Sequence, residues 1–167
     1  MELLLVRHAI AFNRDPDRWP HDGDRPLTPQ GEARFRKAAR GLRTVQPSVE
    51  LVVASPYARA WRTAEILSEE AEWPDPKPSE ALEAERSRSD AMGVLRSEAG
   101  RGSVALVGHE PNLSELASFL LTGSESRLLL EMKKGGVACL GLPDELAGGK
   151  AVLRWVATPK MLRAMAT

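Results

Sequence analysis

The chain has 167 residues, and at roughly 150 residues per domain this length predicts one domain covering residues 1–167. Its 23 Lys and Arg residues balance 23 Asp and Glu residues, which argues against a nucleic-acid binder held by bulk positive charge. The single cysteine, Cys139, excludes an intramolecular disulfide. No apolar run approaches the roughly 20 residues of a membrane span, and the run at 3–6 is too short for a secretory signal. We therefore expect a cytoplasmic protein without a nucleic-acid or membrane partner.

The beginning of the chain reads as a strand, a loop and a helix. Residues 3–6 are a short apolar run typical of a buried strand, and the polar stretch 13–25 predicts a long loop. Thr28 followed by Pro29 is typical of a helix start, because threonine is a favoured N-cap and proline fits the first helical position. Pro47 closes this helix.

The same alternation continues to the end of the chain. The further elements that we predict are a strand at 51–54, a helix after Ser55-Pro56 that ends before Pro74, an irregular stretch at 75–89, a helix capped at Ser89-Asp90 and ended by Gly100, a strand at 103–107, a helix at 112–121 closed by Gly123, strands at 137–142 and 151–156, and a short helix from Pro159 through Met165. This order predicts an α/β fold with a mostly parallel sheet and helices on both faces.

Cationic side chains follow three of the predicted strands. Arg7 and His8 come after the first strand, Arg59 follows the second, and His109 follows the third. Ligands of parallel sheets bind outside the carboxyl ends of the strands, so we expect these four residues to form one positive cup.

Such a cup suits phosphoryl transfer. The planar donors of arginine match phosphate oxygens, and a histidine can attack phosphorus as a nucleophile. A metal site is disfavoured, since the three histidines include no His-x-x-x-His pair and the arginines would repel a cation.

The motifs resemble those of a known family. The matching segments are LVRHA at 5–9, RPLTPQG at 25–31, SPYARAWRTA at 55–64, VGHEP at 107–111 and KKGGVA at 133–138, with the run at 155–162. They are similar to the motifs of the histidine phosphatase superfamily, and the short chain is similar to its SixA-type phosphohistidine phosphatases. The resemblance implies a phosphoglycerate-mutase-like fold, a three-layer sandwich around the mostly parallel sheet.

The resemblance also implies roles for individual residues. His8 would take the phosphoryl group, while Arg7, Arg59 and His109 would hold the phosphate. Arg25 would be a further substrate contact, and neither a metal nor a cofactor is implied. The partner would be a phosphorylated protein carrying phosphohistidine, or a small phosphorylated substrate.

Two of the arginines allow other interpretations. Arg25 either contacts the phosphate or pairs with a loop carboxylate such as Asp22 or Asp24. Arg62 either lines the pocket or faces solvent or a neighbouring carboxylate.

The sequence leaves open which residue is the general acid and what role the lysine pair has. Larger members of the family carry a glutamate acid after the second motif, and we assign none here. The candidate carboxylates are Glu80, Glu83, Glu85, Asp90, Asp15, Asp17, Asp22 and Asp24.

Lys133 and Lys134 form either a polar turn before a strand or a docking surface for an acidic partner.

Three functions are therefore compared. The first is a phosphatase that removes phosphate from phosphohistidine in a protein. The second is a phosphatase for small phosphomonoesters, such as sugar or nucleotide phosphates. The third is a non-catalytic phosphate-binding module, against which the intact His8 argues.

Overall fold

One mixed six-stranded sheet organises the computed structural model, which describes residues 1–166. The helices and strands, in chain order, are β1 (Glu2–Arg7), α1 (Pro29–Val45), β2 (Leu51–Ala54), α2 (Ala58–Ala71), β3 (Lys77–Pro78), α3 (Arg88–Ser97), β4 (Ser103–Gly108), α4 (Asn112–Thr122), β5 (Val137–Gly141), β6 (Val152–Ala157) and α5 (Pro159–Met165). The predicted alternation of strands and helices is confirmed, with the two-residue edge strand β3 added inside the stretch expected to be irregular.

The strand order of the sheet is β3-β2-β4-β1-β5-β6. The first four strands in that order pair in parallel, whereas β5 runs antiparallel to both β1 and β6. The carboxyl ends of β1, β2 and β4 therefore meet at one edge of the sheet. Because β5 is reversed, the residues that precede β5 lie at that same edge.

Helices cover both faces of the sheet, as the sequence predicts. One hydrophobic cluster joins the sheet to α1, α2 and α5, and includes Phe35, Leu42 and Ile66. The other joins it to α3 and α4, and includes Leu95 and Leu116. Residues of β1 alternate between the two clusters, so this central strand is buried on both faces.

Local sequence signals explain where the helices begin. Thr28 is the N-cap of α1, and its side chain accepts a hydrogen bond from the Gly31 amide at 2.9 Å. For α3 the predicted cap at Ser89-Asp90 is wrong. Ser87 is the N-cap there, and it forms a reciprocal capping box with Asp90, which is the third helical residue.

The long loop between β1 and α1 is anchored at both ends. Ala11 and Leu27 form an isolated β-bridge, and Asp22–Asp24 form a short 3₁₀ turn. This turn contacts α2, so it brings the loop over the carboxyl edge of the sheet. Within residues 1–166, no helix has the length and apolar character needed to cross a membrane.

Candidate active site

Two buried histidines form the floor of the candidate site. His8 directly follows β1 and His109 directly follows β4, which is the strand paired with β1. Their ring centroids lie 5.3 Å apart, and only 7% of His8 and 3% of His109 are exposed. The sequence predicted this juxtaposition, because both residues stand at the carboxyl ends of neighbouring parallel strands.

The hydrogen bond of His8 fixes its tautomer. Its Nδ1 lies 2.7 Å from the carbonyl oxygen of Ala9, and a carbonyl only accepts, so Nδ1 donates. Burial and the nearby guanidinium groups of Arg59 and Arg7 lower the pKa of His8 to about 3, against the opposing effect of that hydrogen bond. The ring is therefore neutral at pH 7, and Nε2 carries a lone pair.

His109 is held through its other nitrogen. Its Nε2 lies 2.9 Å from the hydroxyl oxygen of Ser55, which is fully buried. Its Nδ1 is buried without a partner among the described residues. Burial, then the proximity of His8 and Arg59, lowers the pKa of His109 to about 3. The sequence analysis did not assign Ser55, although it is the first residue after β2.

Arg59 is the most deeply buried cation of the site, with 3% of the residue exposed. Two of its nitrogens donate to Asp22, one to the backbone oxygen at 2.8 Å and one to the carboxylate at 2.9 Å. Its Nε is buried and has no partner within residues 1–166. Asp22 therefore holds one side of the guanidinium and leaves the Nε side available.

Arg7 has the same half-satisfied arrangement. Its Nη1 donates to the backbone oxygen of Met132 at 2.7 Å, while its Nε is buried and unpaired in the described part of the chain. The nitrogens of Arg7, Arg59 and His109 are the unpaired buried side-chain atoms of residues 1–166. Buried polar groups are normally satisfied, so three such nitrogens at one sheet edge indicate an anionic ligand.

Arg25 pairs with a loop carboxylate, one of the two interpretations that its sequence allowed. Its Nε donates to Asp22 at 2.9 Å, and its Nη1 donates to the Phe12 backbone oxygen at 2.6 Å. Partial burial would raise the pKa of Asp22, but the hydrogen bond from Arg25 and the charges of the nearby arginines outweigh it and lower that pKa. Whether Arg25 also contacts phosphate stays a prediction.

Arg62 lies outside the cup. It makes ion pairs with Glu32, Glu65 and Glu69 at 2.8–2.9 Å. The interpretation that it faces neighbouring carboxylates is confirmed. Arg59 and Arg62 thus lie one turn apart on α2 in different environments.

Thr63 connects the first and second motifs. Its hydroxyl accepts a hydrogen bond from the Ala9 amide at 3.0 Å and donates one to the Arg59 backbone oxygen at 2.7 Å. The side chain is fully buried. The segment after His8 is consequently fixed to the helix that carries Arg59, and a sequence motif alone does not reveal this link.

An open cleft of about 510 Å³ adjoins the cup beside Tyr57. The Tyr57 ring lies 5.3 Å from the His109 ring, and the Arg59 guanidinium lies 5.3 Å from its centroid. The Tyr57 hydroxyl donates to Glu85, which raises the pKa of Tyr57 to about 12. Glu83 also lines this cleft.

Among the other candidate acids, Asp24 lines the same cleft. Asp90 caps α3, Asp15 accepts backbone amides of its own loop, and 80% of the Glu80 side chain is exposed. Glu110, which the sequence analysis did not consider, follows His109 directly. Burial raises the pKa of Glu110, and its carboxylate accepts the Ser114 amide in α4 at 2.9 Å.

The turn before β5 lies beside the site, a position that the sequence analysis did not predict. Lys133 and Lys134 form the polar turn that was one of two expectations, and Lys133 is paired with Glu131. Lys134 lies close enough to His8 for its charge to contribute to the low pKa of that ring. Within residues 1–166, no group of three His, Cys, Asp or Glu residues is placed to hold a metal ion.

Comparisons with known proteins identify the family of the chain. Residues 3–101 match the family model of the histidine phosphatase superfamily, branch 1. An uncharacterized protein of Picosynechococcus sp. is 35% identical over 139 residues, which is 82% of each chain.

Two solved structures share the fold. The protein histidine phosphatase SixA, solved with tungstate, superposes with a TM-score of 0.81 at 23% identity, over 96% of this chain and 98% of that one. A protein assigned as phosphohistidine phosphatase SixA from Nakamurella multipartitia gives 0.77 at 25% identity, over 95% of both chains. The chain belongs to the histidine phosphatase superfamily, as its motifs predicted.

The low pKa values of the two histidines predict that the protein loses stability in mild acid. An unfolded histidine binds a proton near pH 6.5, whereas folded His8 and His109 stay neutral down to about pH 3. The stabilising contribution of the two neutral histidines is therefore fully present above pH 6.5, and it is lost progressively as the pH falls toward 3. Between pH 7.5 and 5.5 each histidine should remove about 1.4 kcal/mol from the free energy of unfolding, measured by urea denaturation.

The control for this prediction is His8→Asn, which should lose about half of that pH dependence. Nitrogen-15 NMR of the wild type should report neutral rings at pH 5.5 for both histidines. A variant with an undiminished pH dependence, or a His8 ring that is charged at pH 5.5, would contradict the prediction.

Proposed function

We propose that this member of the histidine phosphatase superfamily removes the phosphoryl group from phosphohistidine in a protein, with His8 as the nucleophile. The observation that carries the proposal is the neutral His8 ring, whose Nδ1–H donates to Ala9 and whose Nε2 therefore keeps its lone pair. That nitrogen lies at an edge of the sheet where three buried nitrogens have no partner within residues 1–166.

In the first step, His8 Nε2 attacks phosphorus and the bond from phosphorus to the substrate imidazole breaks. The substrate ring is protonated from solvent on its other nitrogen, so the electron pair of that bond leaves with a neutral imidazole. In the second step, a water molecule attacks the phosphoryl group on His8. Phosphate is released, and the water proton leaves to solvent, so the His8 ring returns neutral.

Arg7, Arg59 and His109 hold the phosphoryl group during both steps. The Nε–H groups of Arg7 and Arg59 are unpaired among the described residues and can donate to phosphoryl oxygens, while Nη1 of Arg7 donates to Met132 and both Nη atoms of Arg59 donate to Asp22. The Ser55 hydroxyl can donate to His109 Nε2, and in that tautomer Nδ1 carries the ring proton and donates to the phosphoryl group as well. Donors fixed in advance stabilise the charge of phosphoryl transfer without rearranging.

The state of the nearby carboxylates supports phosphohistidine as the substrate. Asp22 is bound by Arg59 and Arg25, Glu85 accepts from Tyr57, and Glu110 accepts from the start of α4. The imidazole ring of phosphohistidine can be protonated by solvent near neutral pH before the P–N bond breaks, so it leaves as a neutral ring. An alkoxide is strongly basic and needs an acid, which is typically worth ~100- to 10,000-fold in rate.

A second candidate function is the hydrolysis of small phosphomonoesters. The cleft beside Tyr57 favours it, since Tyr57 lines this cleft and its hydroxyl is hydrogen-bonded to Glu85. A proton donor there would assist an alcohol leaving group.

Two arginines one helical turn apart provide a test of the phosphate site. Arg59→Ala should reduce kcat/KM at least ~100-fold, the scale expected when one preorganised donor is removed. Arg62→Ala should change it less than about threefold, because Arg62 only pairs with glutamates outside the cup. Thermal unfolding of both variants separates loss of activity from loss of fold. A greater loss of activity in Arg62→Ala than in Arg59→Ala would show that the phosphate binds elsewhere.

Substrate preference tests the proposed function itself. The expected order of kcat/KM is a phosphohistidine-containing protein first, an aryl phosphate second, and phosphoserine or a sugar phosphate last, because leaving-group basicity rises in that order. The measurement is phosphate release without added metal, corrected for spontaneous hydrolysis. Turnover of phosphoserine at the phosphohistidine rate would overturn the proposal, and Tyr57→Phe and Glu110→Gln would then identify the overlooked acid.

A further inference from the structure

The turn that precedes β5 brings another positive charge to the phosphate site. The sheet order places β2, β4, β1 and β5 side by side, and β5 alone among these four strands is reversed. The residues that follow β1, β2 and β4 therefore share an edge with the residues that precede β5. Along this edge lie Arg59, His109, His8 and, on the far side of β1, Lys134.

Backbone hydrogen bonds fix this turn onto the end of β1. The Gly135 amide donates to the backbone oxygens of both Arg7 and His8, at 3.1 and 3.0 Å. The Arg7 amide donates in return to the Gly136 oxygen at 3.1 Å, and the Arg7 side chain reaches the Met132 oxygen. Lys134 directly precedes Gly135, and the Gly135 amide is hydrogen-bonded to the backbone oxygen of the nucleophile, His8.

The turn has a shape that holds this position. Gly135 has a φ of +78°, a conformation that side chains rarely adopt, and a Cβ there would lie 3.0 Å from the Phe35 ring. Gly136 is equally confined, since a Cβ would lie 2.8 Å from the Lys133 backbone oxygen. The two glycines let the turn close tightly over β1, with the preceding lysines outside.

The charges that shift the pKa of Lys134 are positive. Partial burial, followed by the guanidinium groups of Arg7, Arg25 and Arg59, lowers the pKa of its ammonium group. In residues 1–166 no carboxylate lies within ion-pair distance of it, whereas the adjacent Lys133 is paired with Glu131. Of the three guanidinium groups, Arg25 and Arg59 share the single carboxylate of Asp22. Arg14 also pairs with Asp22, and Glu110, whose pKa is raised by burial, is close enough to Arg7 for the charge of Arg7 to oppose that rise. The cations still outnumber the carboxylates, and a phosphoryl dianion would balance this excess.

We propose that Lys134 is a phosphate-binding residue that contacts the phosphoryl group from the β5 side, opposite Arg59. The proposal rests on the proposed function, because it assigns Lys134 to the same phosphoryl group that His8 accepts. It gives the ammonium group the role of a mobile point charge, in contrast to the fixed forks of Arg7 and Arg59. Lys134 would close over the anion once the substrate has entered.

Binding of inorganic vanadate and phosphate tests this inference without any substrate. Lys134→Met retains most of the aliphatic chain and removes the charge, and Lys133→Met is the matched control on the neighbouring residue. Calorimetric titration should give a Kd for each oxyanion that is about tenfold higher in Lys134→Met and within twofold of wild type in Lys133→Met. Lys134→Arg should restore most of the affinity. Raising the salt concentration should weaken binding more in wild type than in Lys134→Met.

The outcomes separate this inference from the proposed function. Equal affinities in Lys134→Met and wild type would overturn the role of Lys134 and leave the phosphatase site intact. A wild type that binds neither oxyanion would overturn both, because there would be no phosphate site to complete. An equal loss in Lys133→Met would also overturn the inference, since the effect would then come from general surface charge. Lys134 is exposed, and thermal unfolding of each variant should match wild type.

Discussion

Positive charge gathered around two buried imidazoles is the constraint on which the site depends. Burial alone already disfavours a charged histidine, and the guanidinium groups of Arg7 and Arg59 add to that penalty at His8. The result is an imidazole that stays neutral far below pH 7 and keeps its Nε2 lone pair. The same cations attract the phosphoryl dianion, so one arrangement both activates the nucleophile and binds its target. Asp22 reduces the repulsion between Arg59 and Arg25, because its carboxylate forms an ion pair with each of them.

The fold serves this constraint through strand direction. Parallel strands bring His8, His109 and the start of α2 to one edge, and the sequence predicted their meeting because residues after parallel strands share an edge. The same rule missed Lys134, which precedes an antiparallel strand and reaches the edge from the other direction. Strand direction depends on pairing between distant segments, and the run of apolar residues at β5 does not specify it.

Side-chain partners were less predictable than positions. The sequence placed Arg25 beside phosphate or beside a carboxylate with equal reason; the 3₁₀ turn at Asp22–Asp24 supplies the carboxylate, and the phosphate contact stays a prediction. Ser55 and Thr63 stand inside a recognisable motif, but their hydrogen bonds to His109 and Ala9 require the packed structure. The start of α3 was misplaced by two residues, because Ser87 and Ser89 are both acceptable caps and only Ser87 has a carboxylate three residues later.

Formation of a covalent phosphohistidine on His8 is the central claim, and rapid-quench mass spectrometry measures it most directly. The enzyme is mixed with a phosphohistidine-containing protein, quenched at alkaline pH within milliseconds, and digested for peptide analysis. We predict a transient phosphoryl group on the peptide that contains His8, rising and decaying with turnover and absent from His8→Ala. Turnover without phosphorylation of His8, or a phosphoryl group that accumulates on another residue at the rate of turnover, would contradict the account.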